Sequence, residues 1–182
     1  MEGIDTKLKN AQIAGFIFTV VFGTALHFVY EWSGGNPIVG VVGPVNESVW
    51  EHMKLQLVPM LIFGIAEYFL YGKKLPNFIQ VRFLSILLGM ALTIVVFYTY
   101  SGIIGREFLI VDILLFIASV YVAYRFSYKM LQTDKYSSPS SKGLAIIGII
   151  VLLICVVIFT FAPPYINLFL DPSTGAYGIQ LK

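Results

Sequence analysis

Five apolar runs, each close to the length of a single bilayer crossing, account for most of this 182-residue chain. A helix needs about 20 mainly apolar residues to traverse a hydrocarbon core. Ile13–Tyr30, Leu55–Tyr71, Phe83–Tyr100, Phe108–Tyr124 and Leu144–Ala162 each supply one such core. Lipid offers backbone groups no hydrogen-bonding partner, so only helices and closed barrels are viable there. The runs are continuous rather than alternating with period two, which excludes a barrel. Composition agrees, with 58% hydrophobic and only 12% charged residues, where a soluble domain carries about 25% charged. The expected fold is all-α: a polytopic membrane bundle of five transmembrane helices, one integral membrane domain over residues 1–182. The spans are expected at about 11–31, 46–72, 78–101, 107–130 and 143–162, followed by a tail over 163–182. The first run exceeds a signal-peptide core, and Leu26-His27-Phe28-Val29-Tyr30 lacks a small-residue cleavage pattern, so it is read as a retained helix.

Orientation follows from the basic residues. Lys7 and Lys9 precede the first span, Lys73, Lys74 and Arg82 sit between the second and third, and Arg125, Lys129, Lys135 and Lys142 sit between the fourth and fifth. The opposite segments hold only Lys54, Arg106 and Lys182. The positive-inside rule then puts the N-terminus in the cytoplasm and the C-terminus outside. The basic side touches anionic headgroups without any specific partner, and no nucleic-acid-binding motif is present. Cys155, alone in the middle of the last span, is read as a small apolar residue.

Two segments on the outer side are apolar yet broken by Gly and Pro: Ser33 to Val45, and the tail from Pro163. Irregular apolar backbone beside a membrane is tolerated where protein covers it or where it lines a cavity. Both are expected to fold over the helix ends as a lid, the alternative being that they rest at the headgroup level with Tyr and Trp as anchors. The Ser-rich stretch Gln132 to Lys142 reads as an exposed linker. Small residues mark inward helix faces, because close approach governs packing in lipid. The stripes are Gly15, Thr19 and Gly23 continuing to His27 and Glu31; Ser85, Gly89 and Thr93; Asp112 and Ser119; and Gly148, Cys155 and Ala162. Pro59 is expected to kink the second helix and to free the carbonyl near Leu55, which a neighbour must then accommodate.

Six of the ten acids, Glu31, Glu47, Glu51, Glu107, Asp112 and Asp171, and both histidines, His27 and His52, fall toward the outer side. Asn46 is the expected N-cap of the second helix, with Glu47 in its first turn and Glu51 one turn further on the same face. Two carboxylates at that spacing repel unless a proton or a cation is shared. A short connection makes the first two helices antiparallel neighbours, which gathers His27, Glu47, Glu51 and His52 in one region. That donor set suits a divalent metal, zinc or iron, able to activate water or polarise a carbonyl. Asp112 enters as a general-base candidate, and Tyr98 or Tyr100 as a donor to a developing oxyanion. Simpler readings stand beside these. Glu47 then complements a helix start, Glu51 pairs with Lys54, Glu107 is an interfacial acid beside Arg106, and Asp171-Pro172-Ser173-Thr174-Gly175 is a turn. Glu67 is expected to reach Lys73 or Lys74.

The run from Gly43-Pro44 to Trp50-Glu51-His52, preceded by His27-Phe28-Val29-Tyr30-Glu31-Trp32-Ser33-Gly34, resembles a group of small multi-pass membrane proteins of Gram-positive anaerobes. So does the tail from Pro163-Pro164 to Asp171-Pro172-Ser173-Thr174-Gly175. That group has no established activity, so the resemblance implies a bacterial cytoplasmic membrane location and one connected unit, but no catalytic residue. The expectation for function is a metal-dependent membrane hydrolase or transferase acting from the outer side on a lipid or lipid-linked substrate. Three alternatives are a cation or proton transporter, a haem protein with His27 and His52 as axial ligands, and a non-catalytic membrane subunit.

Overall fold

The computed structural model describes residues 2–180, with side chains from Thr6 onward. Seven α-helices follow one another: α1 (Glu2–Trp32), α2 (Pro37–Gly40), α3 (Val49–His52), α4 (Lys54–Leu70), α5 (Phe78–Ile104), α6 (Leu109–Leu131) and α7 (Pro139–Phe161). Helices α3 and α4 form one rod, tightened at Met53, whose N–H reaches only back to the Trp50 carbonyl at 3.0 Å. Five rods are therefore long and apolar enough to cross a membrane: Thr6–Trp32, Val49–Leu70, Phe78–Ile104, Leu109–Leu131 and Pro139–Phe161. This is an all-helical bundle of the expected kind, and its helices differ from the expected spans at their ends for local reasons. The second rod starts at Val49 rather than at residue 46, because Ser48 and not Asn46 is the cap; the Ser48 hydroxyl accepts the Glu51 N–H at 3.4 Å. The fifth starts at Pro139, inside the stretch read as a linker, because Ser138 caps it and proline fits the first helical position.

Termination is equally local. Helix α1 stops where Gly34 and Gly35 turn to φ of 72° and 80°, a region that side chains with a Cβ avoid. Helix α5 stops at Gly105, φ 81°, whose N–H still caps the Ser101 carbonyl at 2.8 Å.

Helix α1 packs against α4 and α6, α5 packs against α4, α6 and α7, and α7 lies outermost, chiefly on α5. Leu57, Met60, Ile86 and Val120, all no more than 1% exposed, form the central layer, with Met90, Ala123 and Tyr124 around them. Lipid gives these helices no hydrophobic reason to associate, so close approach through small residues carries the packing. Gly15 admits the Tyr124 and Phe63 rings, Gly148 admits Phe83, and Gly89 admits the Gln56 amide. Gly23 lies directly against the Leu55 carbonyl. Pro59, four residues on, has no N–H to offer that carbonyl. The close approach of α1 therefore covers the gap that the proline opens. Outward-facing Ile17, Val21, Ile65, Phe69, Ile150 and Ile154 are about half exposed or more, as a surface solvated by acyl chains requires.

The two ends of the bundle are chemically different. At one end Glu67, 1% exposed, is held by Arg82 Nη2, by the Tyr71 hydroxyl and by Gln12 Nε2, the last at 2.8 Å. This corrects the expected pairing of Glu67 with Lys73 or Lys74. Arg82 lies inside α5 and is itself 4% exposed, whereas the Lys73 ammonium stands over the Phe69 ring at 4.3 Å. At the other end the 33–45 segment and the tail cover the helix termini. Lys54 Nζ, fully buried, donates to the carbonyls of Gly40 and Gly43, the Thr160 hydroxyl and the Glu51 carboxylate, and so ties α2, α4 and α7 together. The tail is pinned by Ile179 N–H on the Thr160 carbonyl at 2.8 Å and by Asn46 Nδ2 on the Gly178 carbonyl at 3.1 Å. Phe169 of the tail packs against Trp50 and Phe159, and these two against each other, edge to face or tilted, with centroids 5.0–5.4 Å apart.

Candidate metal centre

Glu47 is the single residue between Asn46 and the Ser48 cap. The Asn46 Oδ1 accepts the Ser48 N–H at 2.9 Å, closing an Asx turn, while its amide holds the tail. That turn, and not a first helical turn, aims the Glu47 carboxylate at two imidazoles. Its Oε2 lies 3.4 Å from His52 Nε2 and 3.9 Å from His27 Nε2. One ligand atom from each of the three residues falls within 4.8 Å of the others. Two atoms bound to one zinc at about 2.0–2.1 Å in tetrahedral geometry are roughly 3.3 Å apart. The His52–Glu47 edge has that length, and the His27 edge is somewhat longer.

The tautomer of His52 is fixed by its neighbour. Its Nδ1 lies 2.9 Å from the Ser48 carbonyl oxygen, which can only accept, so Nδ1 carries the hydrogen. In the neutral ring Nε2 then presents its lone pair toward Glu47 and His27. A backbone carbonyl behind a metal-binding imidazole is the usual orienting contact. His27 stacks on Phe28 with centroids 5.1 Å apart and meets His52 edge to face at 5.1 Å. When the ring is protonated, Nε2–H donates as well, and that hydrogen bond from His52 holds the Glu47 carboxyl below its ordinary value of 4.5 against a smaller opposing effect of burial. A carboxylate and two oriented imidazoles fit a divalent metal with positions left for substrate or water.

The trio borders a cavity of about 320 Å³ between α1, α4, α5 and α6. Asp112, Glu107, Gln56 and Thr93 also line it, apolar walls come from Leu55, Phe97, Leu109 and Phe116, and Pro172 and Ser173 of the tail close one side. The tail thus takes part in the cavity, as a lid would. Asp112 accepts a hydrogen bond from the Tyr100 hydroxyl, which in turn accepts the Phe108 N–H at 3.3 Å. The Gln56 carbonyl oxygen accepts from Ser119 at 3.1 Å, fixing its amide at the cavity floor.

Some expected participants are placed elsewhere. Glu51 is not with the trio: it is 1% exposed, its Oε2 receives Lys54 Nζ at 2.5 Å and the Val45 N–H at 2.9 Å, and its Oε1 is buried with no partner. Moving the helix start to Val49 separates Glu47 from Glu51, which then face different groups. Tyr98 lies off the cavity lining, 37% exposed, and the Tyr100 hydroxyl is engaged by Asp112. Asp171 forms the turn that its sequence spells out. Its Oδ1 accepts the Ser173 N–H at 2.8 Å and the Ser173 hydroxyl at 2.6 Å, and its Oδ2 accepts the Thr174 hydroxyl at 2.7 Å. Glu107, expected only as an interfacial acid, and Gln56, not singled out in the sequence, both line the cavity. The signal for Gln56 was available, since an amide within an apolar span calls for a partner.

Burial alone would raise the Asp171 carboxyl, but the hydrogen bonds from Ser173 and Thr174 outweigh it and hold the group below its ordinary 3.8. A depressed folded-state value means that its contribution to the turn is complete above the ordinary carboxyl range and is lost as pH falls through the lowered value. Amide protection of residues 171–177, corrected for intrinsic exchange, is therefore expected to be flat from pH 5 to 8 and to drop in more acidic solution. Asp171→Ala is expected to show the acid behaviour already at pH 7.

A model of the Family of unknown function (DUF6512) matches residues 3–179. No curated protein and no solved structure matches the chain. With nearly its whole length matched, the chain belongs to that family of unknown function.

Proposed function

We propose that this member of the family binds a divalent metal through His27, Glu47 and His52 and uses it as a membrane hydrolase or transferase on a lipid-type substrate. The supporting observation is the convergence of two imidazoles and one carboxylate, within 4.8 Å, at the edge of a cavity that combines further polar groups with apolar walls. A metal there supplies Lewis-acid polarisation of a carbonyl or activation of water. Within the chain, Asp112 is the group suited to take a proton across the cavity, with Tyr100 holding its carboxylate in place. Leu55, Phe97, Leu109 and Phe116 suit the hydrocarbon of an amphiphile. The excess of Lys and Arg at the opposite end supports placing this cavity on the non-cytoplasmic side.

Two of the alternatives find less support. The imidazoles touch edge to face at 5.1 Å, which leaves no gap between them for a macrocycle. Leu57, Met60, Ile86 and Val120 form a closely packed apolar layer between the two polar ends, which an ion would have to cross.

Metal analysis of the detergent-purified chain tests the proposal. About one equivalent of zinc or iron is expected. His52→Ala, which removes a ligand along with its orienting carbonyl contact, is expected to weaken retention by at least 100-fold, in line with losses of up to that size for orienting partners alone. Glu51→Gln is expected to keep the metal if the variant folds. Equal metal content in wild-type and His52→Ala protein would refute the site and leave the non-catalytic subunit as the better reading.

A further inference from the structure

A second cavity, about 440 Å³, lies between α1 and α6 at the end of the bundle remote from the histidines. The two helices run antiparallel: Gly23 meets Phe116, while Gly15 meets Tyr124. Each contributes a stripe at spacings of four and then three residues, Lys9, Ile13 and Phe16 from α1 and Tyr121, Arg125 and Tyr128 from α6. The stripes are ordered by depth. Phe16 and Tyr121 close the inner end, ring edge to face with centroids 6.0 Å apart. Lys9 stands about 10 Å nearer the end of the bundle along α1, from seven residues at 1.5 Å, and Tyr128 is level with it. Arg125 lies between, its guanidinium 5.6 Å from the centre of the Tyr128 ring. The result is a basic rim above an aromatic and aliphatic floor.

No carboxylate among the described residues lines this cavity. Among the described residues neither Lys9 nor Arg125 enters an ion pair. The nearest buried acid, Glu67, is reached only through Gln12 and is already engaged by Arg82, Tyr71 and Gln12 itself. Lys9 is three residues inside the first apolar span, and Arg125 is six residues short of the end of α6. Both cations therefore stand at the boundary between headgroup and hydrocarbon, where long side chains reach for the interface. The bilayer itself supplies phosphate anions at that depth.

We propose that the α1–α6 cavity binds an anionic phospholipid, its phosphate between Lys9 and Arg125 and one acyl chain along Ile13, Phe16 and Tyr121. This goes beyond general attraction of a basic face to anionic lipid, because it assigns the headgroup to two residues and the chain to a defined groove. It does not depend on the metal centre, which lies at the other end.

The test is a titration of the detergent-purified full chain with phosphatidylglycerol, phosphatidylcholine or inorganic phosphate, followed by thermal unfolding and by retained lipid in native mass spectrometry. Phosphatidylglycerol is expected to raise the unfolding temperature and to remain bound, whereas the other two do neither. Lys9→Gln with Arg125→Gln is expected to weaken phosphatidylglycerol binding about 25-fold, at about fivefold per cation. Lys73→Gln with Lys74→Gln, which removes two cations at the same end outside the cavity, is expected to bind as the wild type does. Should the double cavity variant fail to fold, the single variants carry the same test at about fivefold each. Equal binding by phosphatidylcholine or inorganic phosphate overturns the proposal, as does equal weakening by the Lys73 and Lys74 substitutions.

Discussion

Lys54→Met is expected to destabilise the protein by about 3–5 kcal/mol, the cost of breaking a buried ion pair from one side. The side chain is fully buried, and its ammonium is shared among four acceptors from three parts of the chain. Methionine fills a similar volume, so the loss isolates charge and hydrogen bonding from packing. It leaves the Glu51 carboxylate, already carrying one partnerless buried oxygen, with the Val45 N–H as its remaining donor. Adding Glu51→Leu to Lys54→Met is expected to recover part of the loss, because the stranded charge disappears. Full recovery is not expected, since the carbonyls of Gly40 and Gly43 still lose their donor. Unfolding followed by circular dichroism in detergent gives the measurement, and a cost below about 1 kcal/mol, the scale of an exposed pair, would show that the network is not structural. The single variant is also expected to lower metal retention, because Glu51 anchors the backbone two residues before Glu47.

Arg82→Met is expected to cost about 3 kcal/mol, toward the lower end of the range for a broken buried pair. Glu67 then keeps two donors, the Tyr71 hydroxyl and the Gln12 amide, so its charge is only partly stranded. Changing Glu67 to Gln in the Arg82→Met background removes that charge and is expected to restore at least half of the stability. Metal retention should be unchanged in both variants, since sites this far apart without shared partners act additively. A parallel loss of metal would mean that the two ends are coupled through the apolar layer between them.

Much of the architecture was legible because membrane crossing leaves a strong one-dimensional signal. Five runs of the right length and continuity gave five rods, and the stripe of Gly15, Thr19 and Gly23 marked the face of α1 that meets α4 and α6, although Glu31 at the end of the same stripe is exposed. The nearness of His27, Glu47 and His52 followed from one argument, that a short connection makes adjacent helices antiparallel neighbours. The details that failed share a different origin. Asn46 and Ser48 are both good caps, and Ser48 takes the role while the Asn46 Oδ1 accepts the Ser48 N–H and its amide holds the Gly178 carbonyl. With the helix starting at Val49, Glu51 faces Lys54 and not the His27, Glu47 and His52 group. The pairing of Glu51 with Lys54 was legible as the simpler reading of those two residues, but Arg82, counted only among the basic residues of a connection, is the buried partner of Glu67. Hydropathy cannot separate an interfacial cation from an interior one when an acid of opposite sign lies on the same helix or on the next.

The close approach of Gly23 to the Leu55 carbonyl has an evolutionary corollary. Two positions 36 apart in sequence, 23 and 59, answer to a single backbone defect. In a relative with an ordinary residue in place of Pro59, the carbonyl at position 55 is claimed by its own helix, and the ban on a methyl group at position 23 is relaxed. Substitutions at these two sites should therefore covary across the family, with bulkier residues at 23 confined to sequences that have abandoned the proline.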